Sequence, residues 1–313
     1  MNRYKEVLGK VFMVNQSGDS WLVALRVGVA VALIAKIISE FRFINDLYGS
    51  DGFVPNAISH FSQNPYLPSL QSIWHLAGGV LPESQFLIAF FLSQLLFAVF
   101  LFLGFVNRFS AFMCWFMQVV VFNSSHLTSY GFDAILLSLL FYALILPTGN
   151  YFSIDDLRKK TVHDRSMIPI FQKVLQIHLC LIYFVNGLSK INGHTWQEGS
   201  GMWDALNQPQ FQSLLTPLLQ KLFMIDHLPA VITWATIGIE IAFPFLIWVR
   251  SLNILILLSI LLLHVFIALV FGLWLFAFVM IVFNLVAFGH ILRKRKMPHS
   301  KNITSRIPTT HFF

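Results

Sequence analysis

Lys190 closes the apolar segment IFQKVLQIHLCLIYFVNGLSK (residues 170–190) and sits among Gly187, Ser189 and Gly193, before the Trp-bearing turn NGHTWQEGSGMW (residues 192–203). A primary amine at the exit of a membrane helix has two uses. It can reach out to the lipid headgroups as an anchor. Turned inward among small residues, it loses water, which disfavours the charged form and leaves an amine able to take a proton. Few other residues could join it in chemistry. His126, in the polar turn NSSHLTSYGFD (residues 123–133), is either a capping histidine or a hydrogen-bond donor and base for a bound group. Glu240 interrupts an apolar run, where a carboxylate must be neutral, paired or facing a cavity; Arg26 and Lys190 are its candidate partners. His264, in ILLLHVFIALVFG, and His178 read as structural hydrogen-bonding histidines when taken alone.

The chain that must position these residues is built for lipid. Of its 313 residues 57% are hydrophobic and only 11% charged, with a mean hydropathy of +0.71. A soluble domain of this length could not cover its surface with so few charges. Phe (33) and Trp (8) suit lipid-facing surfaces and interfacial belts. The net charge of +7 comes from short basic clusters between apolar runs, a pattern that sets topology and argues against nucleic acid as a partner. Cys114 and Cys180 both lie inside apolar runs and read as packing residues. The apolar segment from Trp21 is too long for a signal peptide and lacks a small-residue cleavage site, so it is expected to stay as a membrane helix.

The pattern predicts an all-α, polytopic membrane bundle of about eight transmembrane helices. A polar lead-in at residues 1–20 is expected on the membrane surface. The spans follow at about 21–40, 83–104, 109–122, 134–146, 170–190, 231–249, 252–270 and 273–289. Arg26 sits inside the first, either snorkelling or paired with a buried carboxylate. The third and fourth are short enough to be partly re-entrant. Asp133 reads as the helix N-cap of the fourth. Two long polar-aromatic loops, 41–79 and 191–230, carry interfacial helical pieces, among them FQSLLTPLLQKLF (residues 211–223). The membrane domain takes in 1–292, and a basic tail, 293–313, follows.

Placing both termini in the cytoplasm puts 16 of the 21 Lys and Arg on inside flanks, against three outside and two within the first span. That imbalance is the positive-inside rule. It gathers the two long loops, the His126 turn, Lys190 and the outer half of the His264 helix on the extracytoplasmic face, the expected working end. No HxxxH, HExxH or CxxC motif, no phosphate-cradling glycine loop and no nucleophile elbow is present. No metal is expected.

Five segments, FRFINDLYGSDGFVPNAIS, SHLTSYGFDAILLSLLFYALILPTGNYFSIDDL, NGLSKINGHTW, IEIAFPFLIW and LLLHVFIALVFGLWLFAFVMIVFN, resemble in order the horizontally transferred transmembrane (HTTM) family, best known for the vitamin K-dependent gamma-glutamyl carboxylases. Lys190 stands at the place of the carboxylase catalytic lysine, His126 in its histidine turn and His264 at the family's histidine. The resemblance implies a neutral lysine that deprotonates reduced vitamin K. That species reacts with dioxygen to form a strong alkoxide base, which takes the gamma proton of a peptide glutamate so that carbon dioxide can add. On that reading Lys190 is the base and His126 the partner of the quinol-derived oxyanion. His264, Glu240, Asn186 and Trp196 bind a reduced vitamin K-like quinone, and the apolar bundle houses its isoprenoid tail.

The sequence also departs from the carboxylases. Ser189 stands where they carry a second lysine, and a basic tail stands where they continue into a large lumenal domain. In length and layout the chain is similar to shorter members of the sporulation-delaying protein B type, which help mature a secreted peptide toxin. Two functions are therefore expected. One is a quinone-using enzyme of the bacterial inner membrane acting on an exported peptide or lipid. The other is a non-catalytic accessory for maturation or export of a secreted peptide, working with a partner protein among membrane lipids. A small-molecule or lipid carrier is a third and weaker reading.

Overall fold

The computed structural model describes residues 20–294 apart from 56–57, 59–60, 62, 126–128, 151, 159–166, 212, 214 and 226. The polar lead-in, His126 and the tail beyond Lys294 lie outside the described residues. Within them every regular element is a helix. Eight helices have fifteen residues or more: α1 (Ser20–Glu40), α2 (Glu83–Leu103), α3 (Asn107–Ser124), α4 (Gly131–Ile145), α5 (Ile168–Ile191), α6 (Leu228–Leu246), α7 (Asn253–Phe271) and α8 (Trp274–Phe288). Five of them, α1, α2, α5, α6 and α7, are long and apolar enough to cross a membrane. α4 and α8 are apolar but have 15 residues each. α3 is longer than the sequence predicts, because the polar Asn107 and Ser124 extend both ends of its apolar core.

Local chemistry sets the ends. Gly104 (φ 66°) and Gly272 (φ 69°) close α2 and α7 in the left-handed conformation that only glycine adopts without strain. Pro169 and Pro229 open α5 and α6, where the missing N–H costs nothing. Pro217 does the same for a short helix, Thr216–Leu222, in the second half of the amphipathic stretch expected over 211–223.

The bundle is two groups of four joined at a seam. α1 packs on α2 and α4, with α3 between α2 and α4; α5 packs on α6, α6 on α7, α7 on α8 and α8 on α5. α1 and α8 form the seam. A Cβ at Gly28 of α1 would stand 2.5 Å from Val282 Cγ1 of α8, so the missing side chain lets the two backbones approach. Leu22, Leu25, Val29, Leu33 and Ile37 repeat at helical spacing and bury the inward face of α1. Outward faces are equally apolar: Leu96, Leu181, Val185, Phe245, Leu255 and Leu262 are all exposed. Such a surface is stable only against lipid.

Candidate functional site

α5 and α6 touch where Gly187 meets Ile241. A Cβ on Gly187 would lie 2.5 Å from Ile241 Cγ1 and 3.3 Å from its backbone nitrogen. Three residues beyond Gly187, the Lys190 ammonium meets the carboxylate of Glu240, the neighbour of Ile241, in a direct ion pair. The Lys190 side chain is 22% exposed and that of Glu240 8%. The amine also lies 5.3 Å from the centroid of the Trp196 ring. Trp196 sits in the short helix His194–Gln197, pressed against Gly201, where a Cβ would stand 2.6 Å from the indole. This turn is fastened to α6: Met202 N donates to Thr233 Oγ1 (3.1 Å), which itself donates to the Gly199 carbonyl (3.1 Å).

Lys190 is therefore the partner of Glu240, one of the two that the sequence offers. It does not reach for headgroups, and it is not a lone dry amine. It answers the charge of Glu240, because a carboxylate inside a helical bundle needs a counter-charge. The other candidate partner, Arg26, donates to the carbonyls of Thr148 (3.0 Å) and Phe152 (2.5 Å).

Next to the ion pair is a hydrogen-bonded trio on three helices. Tyr183 of α5 holds His264 of α7 through its Nε2 (2.8 Å), and Asn284 of α8 donates Nδ2 to the Tyr183 oxygen (2.5 Å). Nδ2 also donates to the Met280 carbonyl (2.8 Å). All three side chains are buried. Tyr183 lies one turn before Gly187 on α5, and its ring meets Phe243, one turn after Glu240 on α6, which sets the trio beside the pair. Phe243 and Phe276 wall it, with ring centroids 4.6 Å from Tyr183 and 5.9 Å from His264. His264 Nδ1 and Asn284 Oδ1 are buried with no hydrogen-bond partner among the described residues.

Of the residues singled out in the sequence, Lys190, Glu240, Trp196 and His264 come together here. Asn186 does not: it lies exposed on α5, just off the face that carries Tyr183 and Gly187. His126 lies outside the described residues. His178 binds the Tyr142 hydroxyl (3.0 Å). Tyr183 and Asn284 were not singled out, although the second had a signal, a lone amide in an apolar span.

A second ionic cluster, also unforeseen, ties α1 to α4. Lys36 pairs with Glu40 (2.5 Å) and Asp133 (3.1 Å), and Tyr48 donates to Glu40 (2.9 Å). Asp133 is not the N-cap; it is the third residue of α4, accepting from the N-cap nitrogen of Tyr130 (3.2 Å). Burial first, and then the Asp133 charge, pushes the Tyr130 phenol up to about 12. Inward, Gln118 donates to Asp133 (3.5 Å) and Gln94 to Gln118 (3.3 Å). Every group in this cluster is answered by another, as a structural clasp requires. Among the described residues no group of three or more His, Cys, Asp or Glu could hold a metal ion.

A family model described as the HTTM domain matches residues 16–290, which include every residue of both clusters. No curated protein and no solved structure matches the chain.

Proposed function

The chain belongs to the HTTM family, and from that premise we propose that it is a membrane enzyme that uses a reduced quinone to modify an exported peptide or lipid at the extracytoplasmic face. The observation that carries this reading is the Lys190–Glu240 pair under Trp196, beside two buried polar atoms that no described residue satisfies. The residues fit the group. His264 Nδ1 and Asn284 Oδ1 offer a donor and an acceptor to the oxygens of a quinol, and Phe243 and Phe276 offer ring faces. When bound, a reduced quinone supplies an acidic hydroxyl and reducing electrons.

The protein's own part is proton handling. With their shared proton on Glu240, Lys190 is a free amine. It takes a proton at Nζ, and the resulting ammonium keeps its hydrogen bond to the Glu240 carboxyl. Trp196 and the turn fastened over it limit the access of water to the pair, leaving the Lys190 side chain 22% exposed. Eight crossings with both termini cytoplasmic, in a bacterial inner membrane, agree with the basic clusters and with the eight consecutive long helices. Phe53, Phe61, Tyr66 and Leu76, all strongly exposed in the first long loop, and Val80 just beyond it, would meet the lipid surface or the client.

The second reading, an accessory for maturation or export of a secreted peptide, draws on the same ion pair: a lysine fully answered by a carboxylate also serves a bundle with no chemistry. Mass spectrometry of exported peptides and lipids separates the two. Cells with the protein are expected to show a mass change, a carbon dioxide adduct being the first to seek. That change should vanish in Lys190→Ala and in the double variant Lys190→Met/Glu240→Leu, which keeps the bundle free of unpaired charge. A mass change that persists in a folded double variant removes Lys190 as the base. The absence of any change with the native protein, alongside retained biological activity in the variants, establishes the accessory.

A further inference from the structure

We propose that Tyr183 and Asn284 are positioning residues that hold His264 as its Nδ1–H tautomer, so that the imidazole presents a buried N–H donor to an acceptor oxygen of a bound ligand. Asn284 Nδ2 lies 2.8 Å from the Met280 carbonyl, which only an N–H can satisfy, and this fixes which way the amide points. The same nitrogen therefore donates to Tyr183 as well, and the phenol oxygen is an acceptor there (2.5 Å). The Tyr183 hydrogen is left for its other neighbour, His264 Nε2 at 2.8 Å. A nitrogen that accepts carries no proton in neutral imidazole, so the proton is on Nδ1.

The alternatives fare worse. If Nε2 carried the proton, or if both nitrogens did, Tyr183 would accept two bonds and its own hydrogen would point at nothing. Tyr183 is 1% exposed, and a buried donor left unmade costs about 1–3 kcal/mol. The relay Met280, Asn284, Tyr183, His264 leaves one donor unanswered, the Nδ1–H of His264, which has no partner among the described residues. In a native fold an orphan of this kind marks a place for something the protein binds. A donor wants an acceptor oxygen, a carbonyl or a phenolic hydroxyl. A hydroxyl would also answer the unpartnered acceptor, Asn284 Oδ1. The class of ligand, a quinol or quinone, rests on the function proposed above; the tautomer does not.

The test is nitrogen NMR of the full chain in lipid nanodiscs with 15N-labelled histidine, the His264 signals being assigned by their loss in His264→Gln. Ring-nitrogen shifts report which nitrogen bears the proton. The native protein is expected to show a single Nδ1–H tautomer at His264. Tyr183→Phe, which removes the hydrogen donated to Nε2, is expected to give a mixture or the Nε2–H form, while Lys190→Ala leaves the tautomer as it was. An Nε2–H signal in the native protein overturns the proposal without any variant, and so does a Tyr183→Phe spectrum that matches the native one. Titration with a short-chain quinol, followed by Trp fluorescence, gives the second readout. Binding about tenfold weaker in Tyr183→Phe supports the donor role. If the native protein shows the Nδ1–H form but no quinol binding, the relay stands and the quinone reading falls.

Discussion

A carboxylate placed in an apolar helix must be neutral, face a cavity or meet an opposite charge, and Glu240 meets Lys190. That pairing makes the two residues unequal to their single variants. Removing one partner strands the other, at a cost of about 3 kcal/mol, whereas removing both leaves a packing defect with no unpaired charge. Lys190→Ala and Glu240→Ala are each expected to lower stability by that amount, and the double variant by clearly less than their sum. Unfolding in detergent, arranged as a double-mutant cycle, measures it; additive losses would mean that the two groups do not interact. At this scale much of the site is legible in the sequence. Lys190, Glu240 and His264 announce themselves because a polar group is costly in a membrane helix. Which partner Glu240 takes is not legible, since both Arg26 and Lys190 satisfy the same electrostatics and only the crossing of α5 with α6 decides. Asn186 stands apart from the cluster for a simpler reason: each residue turns about 100° around a helix, and the inward face runs through Tyr183 and Gly187 instead.

That crossing is held by what Gly187 lacks. Any side chain there meets Ile241, and the nearest atoms are flexible carbons with the α6 backbone just behind. Gly187→Val is expected to wedge the helices apart, to cost about 1–3 kcal/mol and to part Lys190 from Glu240. Gly187→Ala should cost less and should be relieved by Ile241→Ala, because the clash is with the Ile241 side chain first. Melting of the two single variants and the pair in detergent checks this, and a Gly187→Ala loss untouched by Ile241→Ala would place the strain elsewhere. The elements themselves were readable: glycine and proline set their ends, and apolar runs set their lengths. Their contacts were not. Lys36 and Glu40 are one turn apart and visible as a pair, but Asp133 joins them only because α1 packs on α4. No local pattern encodes a contact between residues so far apart in the chain.

For the whole molecule the open quantity is the number of crossings, because length alone does not decide it for α4 and α8. At 1.5 Å per residue, 15 residues reach about 22 Å against a hydrocarbon layer of about 30 Å. Parity does decide it for α4. Ala77 lies between α1 and α2 and Glu198 between α5 and α6, both exposed, with α2, α3, α4 and α5 between them. If all four cross, the two positions share a side; if α4 turns back, they fall on opposite sides. Ser251, exposed between α6 and α7, then reports the other face. Single cysteines at these positions, treated in intact cells with a maleimide that cannot cross the membrane, are expected to react at 77 and 198. The cysteine at 251 should react only after permeabilisation. Cys114 and Cys180 are buried and should stay silent, so the native chain supplies its own blank. Reaction at 251 in intact cells would invert the orientation, and a split between 77 and 198 would remove one crossing. Either result would move Lys190 to the cytoplasmic face or break its register with the outer loops. The exported client would go with it, since a base can serve an exported substrate only from the side to which that substrate is delivered.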